Sequence, residues 1–205
     1  MNLEVLTEAG KDIFPLLGKF EDFYLAGGTA LALQIGHRIS VDFDLFSEKE
    51  ISKNLLAKVK RIFENKTIIP SVNNPDELTV FLNGVKTTFL RYPFPVKNKL
   101  IDCNGIKLLD AKEIASTKAY TIGRRGTIKD YVDLYFVLSE RISFLDEIME
   151  TAKSKFGNEF NDRLFLEQLV YFNDIEETNI LFLKKPVSKK ELEEFFKTEV
   201  GKIKI

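Results

Sequence analysis

Two aspartates separated by a single residue stand in the otherwise apolar segment 41–46, V-D-F-D-L-F. Alternate side chains of a strand point to the same face, so Asp42 and Asp44 would project together, about 6 to 7 Å apart. Carboxylates at that spacing can reach one or two Mg²⁺ or Mn²⁺ ions, whose remaining ligands would be substrate phosphates. A half-exposed strand with its acids in water explains the pair equally well, so the pair alone predicts no chemistry.

A Gly-Gly pair precedes the aspartates, between a predicted strand and a predicted helix. Glycines let the backbone approach a ligand closely, and the N–H groups of a first helical turn attract phosphate. We therefore expect Gly27, Gly28 and Thr29 to hold a phosphate, and Thr29 is also predicted as the helix N-cap. The alternative is a tight strand-to-helix turn without a ligand.

Several basic residues are placed to add positive charge to a phosphate site. Arg38 and Ser40 lie on the approach to the predicted strand, and Arg38 can pair with a phosphate or with Asp42. Lys118 and Arg125 are seven residues apart and so lie on nearly the same face of a later helix. Lys118 suits a triphosphate as a compact charge. A solvated helix face is the alternative for both residues.

Two further aspartates, three residues apart, follow in the next predicted helix. If Thr127 is the N-cap of that helix, Asp130 occupies the third helical position and completes a near capping box without any chemistry. Asp133 lies among apolar neighbours, and an intrahelical ion pair with Lys129 would account for it. Spacing alone does not decide which of the two acids takes part in a reaction.

Together and in this order, these motifs resemble those of the AbiEii/AbiGii-type nucleotidyltransferases, toxins within the DNA polymerase β-like superfamily. The resemblance covers residues 20–140, and Thr121 stands where the family usually has alanine. The matching segments are Gly27-Gly28-Thr29, His37-Arg38-x-Ser40-x-Asp42-x-Asp44-Leu45-Phe46, the helix from Lys118 to Arg125, and Lys129-Asp130-Tyr131-Val132-Asp133-Leu134-Tyr135. The catalytic residues that the resemblance implies are Asp42, Asp44, Lys118, Asp130 and Asp133, with Mg²⁺ on the first two. The nucleotide-binding residues that it implies are Gly27, Gly28, Thr29, Arg38, Ser40, Lys118 and Arg125.

The same resemblance implies a reaction. A nucleotide would pass from an NTP to an acceptor hydroxyl with departure of pyrophosphate, and the acceptor would be an RNA such as the 3′ end of tRNA. Proteins of this family often act as the toxin of a toxin–antitoxin pair, so an antitoxin protein is an expected partner.

Many enzymes of the superfamily carry a third carboxylate on a neighbouring strand, and this sequence lacks it there. The corresponding segment has Thr87 and Thr88, and Asp102 on the next predicted strand is a weak substitute. Either Asp130 or Asp133 supplies the missing base, or catalysis is slow or lost. Two alternatives therefore stay open. One is a catalytically weak or inactive protein that binds nucleotide, RNA or a protein partner, and the other is phosphoryl transfer to a protein or small molecule.

The elements that must position these residues are strands and helices in the first part of the chain and helices alone after residue 110. The predicted strands are 22–26, 40–46, a hairpin over 77–92 that turns at Asn83-Gly84, and a strand pair over 99–110. The predicted helices are 2–18 with a break near Pro15, 29–36 ending at Gly36, 52–65 capped by Ser52, 111–125, 127–141, 144–157, 160–172, and 188–202 with a Ser188–Glu191 capping box.

This order predicts an α+β fold, close to α/β, in which a mixed sheet flanked by helices forms a polymerase β-type core. We expect residues 1–140 to form that core and residues 141–205 to form a helical region packed on it. The chain has 205 residues and a net charge of −1, so any nucleic-acid contact must come from a local basic patch. A single cysteine, Cys103, excludes an intrachain disulfide, and no apolar stretch is long enough for a membrane span. These features, with no signal peptide, predict a cytoplasmic protein without a membrane partner.

Overall fold

The computed structural model describes residues 1–203. The chain divides into two compact units, Met1–Leu109 and Asp110–Ile205. The predicted domain boundary at residue 140 stays a prediction. Every strand of the sheet lies in the first unit, and the fold is of the predicted α+β class.

The first unit contains a single mixed sheet of seven strands. Its strands are β1 Tyr24–Ala26, β2 Phe43–Ser47, β3 Ile68–Asn73, β4 Glu77–Leu82, β5 Val85–Arg91, β6 Ile101–Cys103 and β7 Ile106–Leu108. Their spatial order is β3-β4-β5-β2-β1-β7-β6. The pairs β2–β5 and β1–β7 are parallel, and the other neighbours are antiparallel. The strand with the aspartates therefore lies at the centre of the sheet.

Both Asn-Gly pairs form the predicted hairpin turns. Asn83 and Gly84 connect β4 to β5 with φ angles of 48° and 84°, and Asn104 and Gly105 connect β6 to β7 with φ angles of 54° and 82°. Two successive residues with positive φ give a turn whose twist matches that of the strands. The register of each hairpin is therefore set by a two-residue loop.

Strand β3 was not predicted. It contains Pro70, which cannot donate a hydrogen bond to a ladder and so argues against a central strand. The structure places β3 at the edge of the sheet, where a proline is tolerated because one side of the strand has no partner. A shift of register between Pro70 and Val72 marks the irregularity.

The helices of the first unit differ from the prediction at their starts. They are a 3₁₀ turn Leu3–Val5, α1 Glu8–Leu17, α2 Gly27–Ile35 and α3 Leu55–Ile62. The predicted helix 2–18 is interrupted before Thr7, whose hydroxyl accepts from Gly10 N at 3.1 Å, and Pro15 lies inside α1 without breaking it. The N-cap of α3 is Asn54 rather than Ser52. Gly36 ends α2 as predicted, with φ of 66°.

One face of the sheet carries the apolar core of this unit. Phe43 of β2 stacks on Phe14 of α1 with ring centroids 6.2 Å apart, and Phe89 of β5 contacts Phe20 at 4.8 Å. Phe20 in turn stacks on Phe63 at the end of α3. Because side chains alternate along a strand, Asp44 lies on the opposite face of β2.

The named secondary-structure elements of the second unit are all helical. They are α4 Ala111–Arg125, α5 Ile128–Ser139, α6 Leu145–Phe156, a 3₁₀ turn Gly157–Glu159, α7 Asp162–Val170 and α8 Lys189–Val200. The capping box at Ser188 and Glu191 is confirmed. A fully buried ion pair joins α4 to α6, with Glu113 Oε1 2.5 Å from Lys155 Nζ. Within residues 1–203, no helix has the length and hydropathy of a transmembrane span.

Candidate active site

The Gly-Gly turn and the second aspartate are in direct contact. Strands β1 and β2 pair so that Ala26 lies opposite Asp44, and Gly27 continues from β1 with φ of 64°. A Cβ atom at Gly27 would lie 2.6 Å from Asp44 Oδ2, closer than real Cβ atoms approach other heavy atoms. Only glycine fits here, because both the backbone conformation and the carboxylate exclude a side chain. The first turn of α2 is thereby held against a carboxylate.

Thr29 is not the N-cap of α2, because the helix begins at Gly27 with Ala26 as its N-cap. The buried Thr29 hydroxyl donates to the carbonyl oxygen of Asp42 and lies 2.7 Å from Ser40 Oγ. Its only proton goes to Asp42, so Ser40 must be the donor in the second bond. A phosphate contact by Thr29 stays a prediction, and it now depends on the backbone N–H of this residue.

The two aspartates have different local settings. Both are half-buried, but Asp42 directly precedes β2, whereas Asp44 lies within the strand. Their carboxylates are hard oxygen ligands of the kind that Mg²⁺ prefers. Among residues 1–203, no histidine, cysteine, aspartate or glutamate completes a cluster of three with them. The chain thus fits a cation that keeps water or phosphate for its other ligands.

The two polar residues on the approach to β2 are held by the protein. Arg38 is buried, and its Nη1 donates to the carbonyl of Ile39 at 3.1 Å. Ser40 is also buried, and its backbone N–H donates to the carbonyl of Val5 at 2.8 Å. Their predicted contacts with a nucleotide stay predictions.

Lys118 is bound to both later aspartates within the second unit. Its Nζ lies 2.7 Å from Asp130 Oδ1 and 2.7 Å from Asp133 Oδ2, and the Asp133 side chain is fully buried. Burial alone would lower the pKa of Lys118, but the charges of Asp133 and Asp130 outweigh it, so this pKa is raised above its ordinary value. Asp133 is therefore paired with Lys118 of the preceding helix.

Asp130 has two simultaneous roles. Its Oδ2 accepts from both the backbone N–H and the hydroxyl of Thr127 at 2.9 Å, which confirms the predicted capping box. Its Oδ1 accepts from Lys118. Asp130 therefore caps α5 and pairs with Lys118 at the same time.

The two arginines at the end of α4 differ in their contacts. Arg124 lies over the ring of Tyr120 at 3.8 Å and donates to the carbonyl of Glu159 at 3.0 Å. Arg125 is exposed. Both arginines are exposed, but Arg124 is engaged with Tyr120 and Glu159 of its own unit.

Sequence reasoning missed a row of polar side chains beside Asp44. Thr88 of β5 is the register partner of Asp44, and Thr79 of β4 is the partner of Thr88. The Thr79 and Thr88 hydroxyls are 3.1 Å apart, and Thr79 Oγ1 donates to Glu77 Oε1 at 2.6 Å. The signal was available, because the Asn83-Gly84 turn fixes this register. Asp102, the suggested substitute acid, is separated from β2 by β1 and β7.

The mixed sheet with its helices has the fold of nucleotidyltransferases of the polymerase β type. MenT4, a nucleotidyltransferase toxin from Mycobacterium tuberculosis H37Rv, matches 93% of this chain and 82% of its own with a TM-score of 0.63 and 16% identity. JHP933 from Helicobacter pylori matches 80% of this chain and 74% of its own with a TM-score of 0.52 and 19% identity. At these identities the likeness establishes the fold.

Sequence comparison adds the family. A family model described as nucleotidyl transferase AbiEii toxin, type IV toxin–antitoxin system, matches residues 11–102. The uncharacterized protein aq_aa25 from Aquifex aeolicus (strain VF5) is 35% identical over 195 residues, which cover 90% of this chain and 89% of that protein. The match to the AbiEii nucleotidyltransferase toxin family over residues 11–102 confirms the resemblance noted in the sequence, and aq_aa25 is a relative over nearly the whole chain.

Proposed function

We propose that this protein is a Mg²⁺-dependent nucleotidyltransferase that moves a nucleotide from an NTP to an acceptor hydroxyl of RNA, with tRNA as the leading candidate. We further propose that it acts in the cytoplasm as the toxin of a toxin–antitoxin pair and that an antitoxin protein restrains it. The observation that carries the proposal is the approach of Gly27 to Asp44 Oδ2, which brings a helix N-terminus and a carboxylate together.

The residues of the first unit would divide the work on the triphosphate. The N–H groups in the first turn of α2 would bind phosphate oxygens, since the helix N-terminus carries a partial positive charge. Asp42 and Asp44 would hold the Mg²⁺, which supplies neutralisation of the charge that develops on the transferred phosphate. The acceptor hydroxyl would then attack the α-phosphorus in line, and pyrophosphate would leave.

Lys118 with Asp130 and Asp133 is the second group that the proposal requires. Because two carboxylates already neutralise the Lys118 ammonium, we assign this trio a positioning role, with Lys118 as the residue that keeps both acids in place. Arg125, which is exposed, and Arg38 remain proposed contacts of the nucleotide or of RNA phosphate.

The proposal is tested by asking whether a label on the α-phosphate of an NTP passes to RNA. The full chain is incubated with Mg²⁺, total RNA and each NTP in turn, labelled at the α-phosphate. We expect one or more NTPs to label RNA, and we expect Asp42→Asn with Asp44→Asn to abolish the labelling. Asp102→Asn is the matched control, because Asp102 is an exposed acid on the far side of the same sheet.

A catalytically weak binding protein is the second candidate, and it is favoured because no third metal-ligating residue clusters with Asp42 and Asp44 among residues 1–203. Binding of NTP without transfer to any acceptor class would support that candidate. Transfer of a γ-phosphate label instead of the α-phosphate label would indicate phosphoryl transfer. Unchanged metal-dependent NTP binding in the Asp42→Asn, Asp44→Asn protein would overturn the site assignment.

A further inference from the structure

A row of hydrogen bonds crosses three neighbouring strands on the face of the sheet that carries Asp44. It runs from Glu77 through Thr79, both on β4, to Thr88 on β5, which lies opposite Asp44 on β2. Adjacent strands are about 4.8 Å apart, so Thr88 is the neighbour of Asp44 on β5 and lies on the same face of the sheet. Thr79 and Thr88 are 2% and 8% exposed, which leaves the two hydroxyls little water for other bonds.

Proton counting fixes the direction of every bond in this row. A carboxylate only accepts, so the single Thr79 proton goes to Glu77 Oε1 at 2.6 Å. The Thr79 oxygen must then accept in its 3.1 Å bond with Thr88, and Thr88 is the donor. With its proton directed away, the Thr88 oxygen can present only lone pairs to the side of Asp44.

Two acceptor oxygens placed side by side can both offer lone pairs to one cation. A threonine that could donate would hydrogen-bond to the neighbouring carboxylate and reduce its charge. Thr88 cannot donate to Asp44, because its proton goes to Thr79, whose own proton goes to Glu77. Hydroxyl oxygens of serine and threonine are established ligands of Mg²⁺ in other phosphate-binding sites. The arrangement therefore suits a divalent cation that has Asp44 as its carboxylate ligand.

We propose that Thr88 supplies a neutral oxygen to the cation held by Asp42 and Asp44, and that Glu77 is a positioning residue that keeps Thr88 an acceptor. This inference rests on the proposed function, since it deepens the metal site of that reaction. Thr88 would also take the place of the third carboxylate that the neighbouring strand lacks, because Thr88 is the register partner of Asp44 on β5.

Binding of Mn²⁺ to the full chain, measured from the electron paramagnetic resonance signal of the free ion, tests the proposal without any turnover. We expect Thr88→Val to weaken Mn²⁺ binding about 10-fold, in the range typical of changes around a metal site. Thr88→Ser keeps the hydroxyl and should bind Mn²⁺ as the wild type does. Thr87→Val is the matched control, because Thr87 faces the apolar core and its hydroxyl has no hydrogen-bond partner within residues 1–203.

Glu77 is tested by a double-mutant cycle. In Glu77→Ala the Thr79 proton is released toward Thr88, whose own proton then turns to Asp44, so we expect weaker Mn²⁺ binding by several-fold. In the Thr88→Val background the same Glu77→Ala change should have no further effect, because no hydroxyl is left to reverse. A simple loss of negative charge at Glu77 would weaken binding equally in both backgrounds and would overturn the positioning role.

The outcomes separate this inference from the proposed function. If Asp44→Asn abolishes Mn²⁺ binding while Thr88→Val binds as the wild type does, the inference fails and the metal site stands. If Asp42→Asn with Asp44→Asn leaves Mn²⁺ binding unchanged, the proposed metal site itself fails. Thermal unfolding of each variant shows whether it is folded. If Thr88→Val does not fold, Glu77→Ala in the wild-type background still tests the proposal, because unchanged Mn²⁺ binding by that variant would overturn it.

Discussion

Gly27 and Asp44 exclude any side chain between them, because a Cβ atom at Gly27 would stand 2.6 Å from Asp44 Oδ2. The contact joins the end of β1 to the centre of β2 across an antiparallel pair. It places a carboxylate at the first residue of α2, where the helix dipole would otherwise attract a bare anion. A cation bound between the Asp44 carboxylate and an incoming phosphate would offset the repulsion between these two negative groups.

Gly27→Ala is expected to damage both stability and the proposed metal site. Alanine would suffer strain at φ of 64° and would also displace the Asp44 carboxylate. Gly84→Ala isolates the strain, because Gly84 has φ of 84° and open space around its Cβ position. We expect Gly27→Ala to lower the free energy of unfolding by about 1 to 3 kcal/mol more than Gly84→Ala does. Denaturant unfolding measures this, and equal losses would contradict the proposed clash.

Thr29→Val should loosen the segment that enters β2. The hydroxyl of Thr29 binds the Asp42 carbonyl and the buried Ser40 Oγ, and valine removes both of these hydrogen bonds. We expect a loss of about 1 to 3 kcal/mol in the free energy of unfolding. Mn²⁺ binding should weaken as well, since Asp42 loses its anchor. Thr29→Ser should restore both properties, and a serine variant as impaired as valine would show that the methyl group matters instead.

Lys118→Met should be strongly destabilising, although lysine is usually a surface residue. The change leaves Asp133, whose side chain is fully buried, without the cation that lies 2.7 Å away. Removal of one partner of a buried pair costs about 3 to 5 kcal/mol. Lys129→Met, at a half-exposed position on α5, should change the free energy of unfolding by about 0.5 kcal/mol or less. A similar effect of both changes in chemical denaturation would remove Lys118 from its structural role.

The raised pKa of Lys118 predicts how stability depends on alkaline pH. In the folded protein Lys118 holds its proton above the ordinary lysine value of 10.5, whereas the unfolded chain releases it near that value. The stabilisation is therefore fully present below pH 10.5 and declines as the pH rises toward the folded value. The difference in unfolding free energy between wild type and Lys118→Met should be constant from pH 7 to about 9.5 and shrink above about 10.5. A difference that grows above pH 10.5 would contradict this sign.

Features set by neighbouring residues were predictable from the sequence. The Asn83-Gly84 turn and the capping box of Ser188 with Glu191 depend on a few adjacent residues, and the structure has both. The order of strands and helices also gave the α+β class. Motif spacing found the aspartates and the Gly-Gly turn, although their assigned roles stay proposals.

Features set by distant parts of the chain were not predictable in the same way. The start of α2 moved to Gly27 because the positive φ of that residue accommodates Asp44, which lies 17 residues later on another strand. The partner of Asp133 is on α4 rather than on its own helix. Strand β3 has little apolar alternation because it is an exposed edge. Each depends on pairing or packing that no local window contains.

The two-residue turn at Asn83-Gly84 has a consequence well away from itself. Side chains alternate along β5, so Thr87 faces the core and Thr88 faces the side of Asp44. A slip of the hairpin by one residue would exchange these two threonines and break the row that begins at Glu77. An insertion in the turn would therefore change which side chain of β5 lies beside Asp44 without replacing any residue there. The length of this turn is as much a part of the site as its side chains.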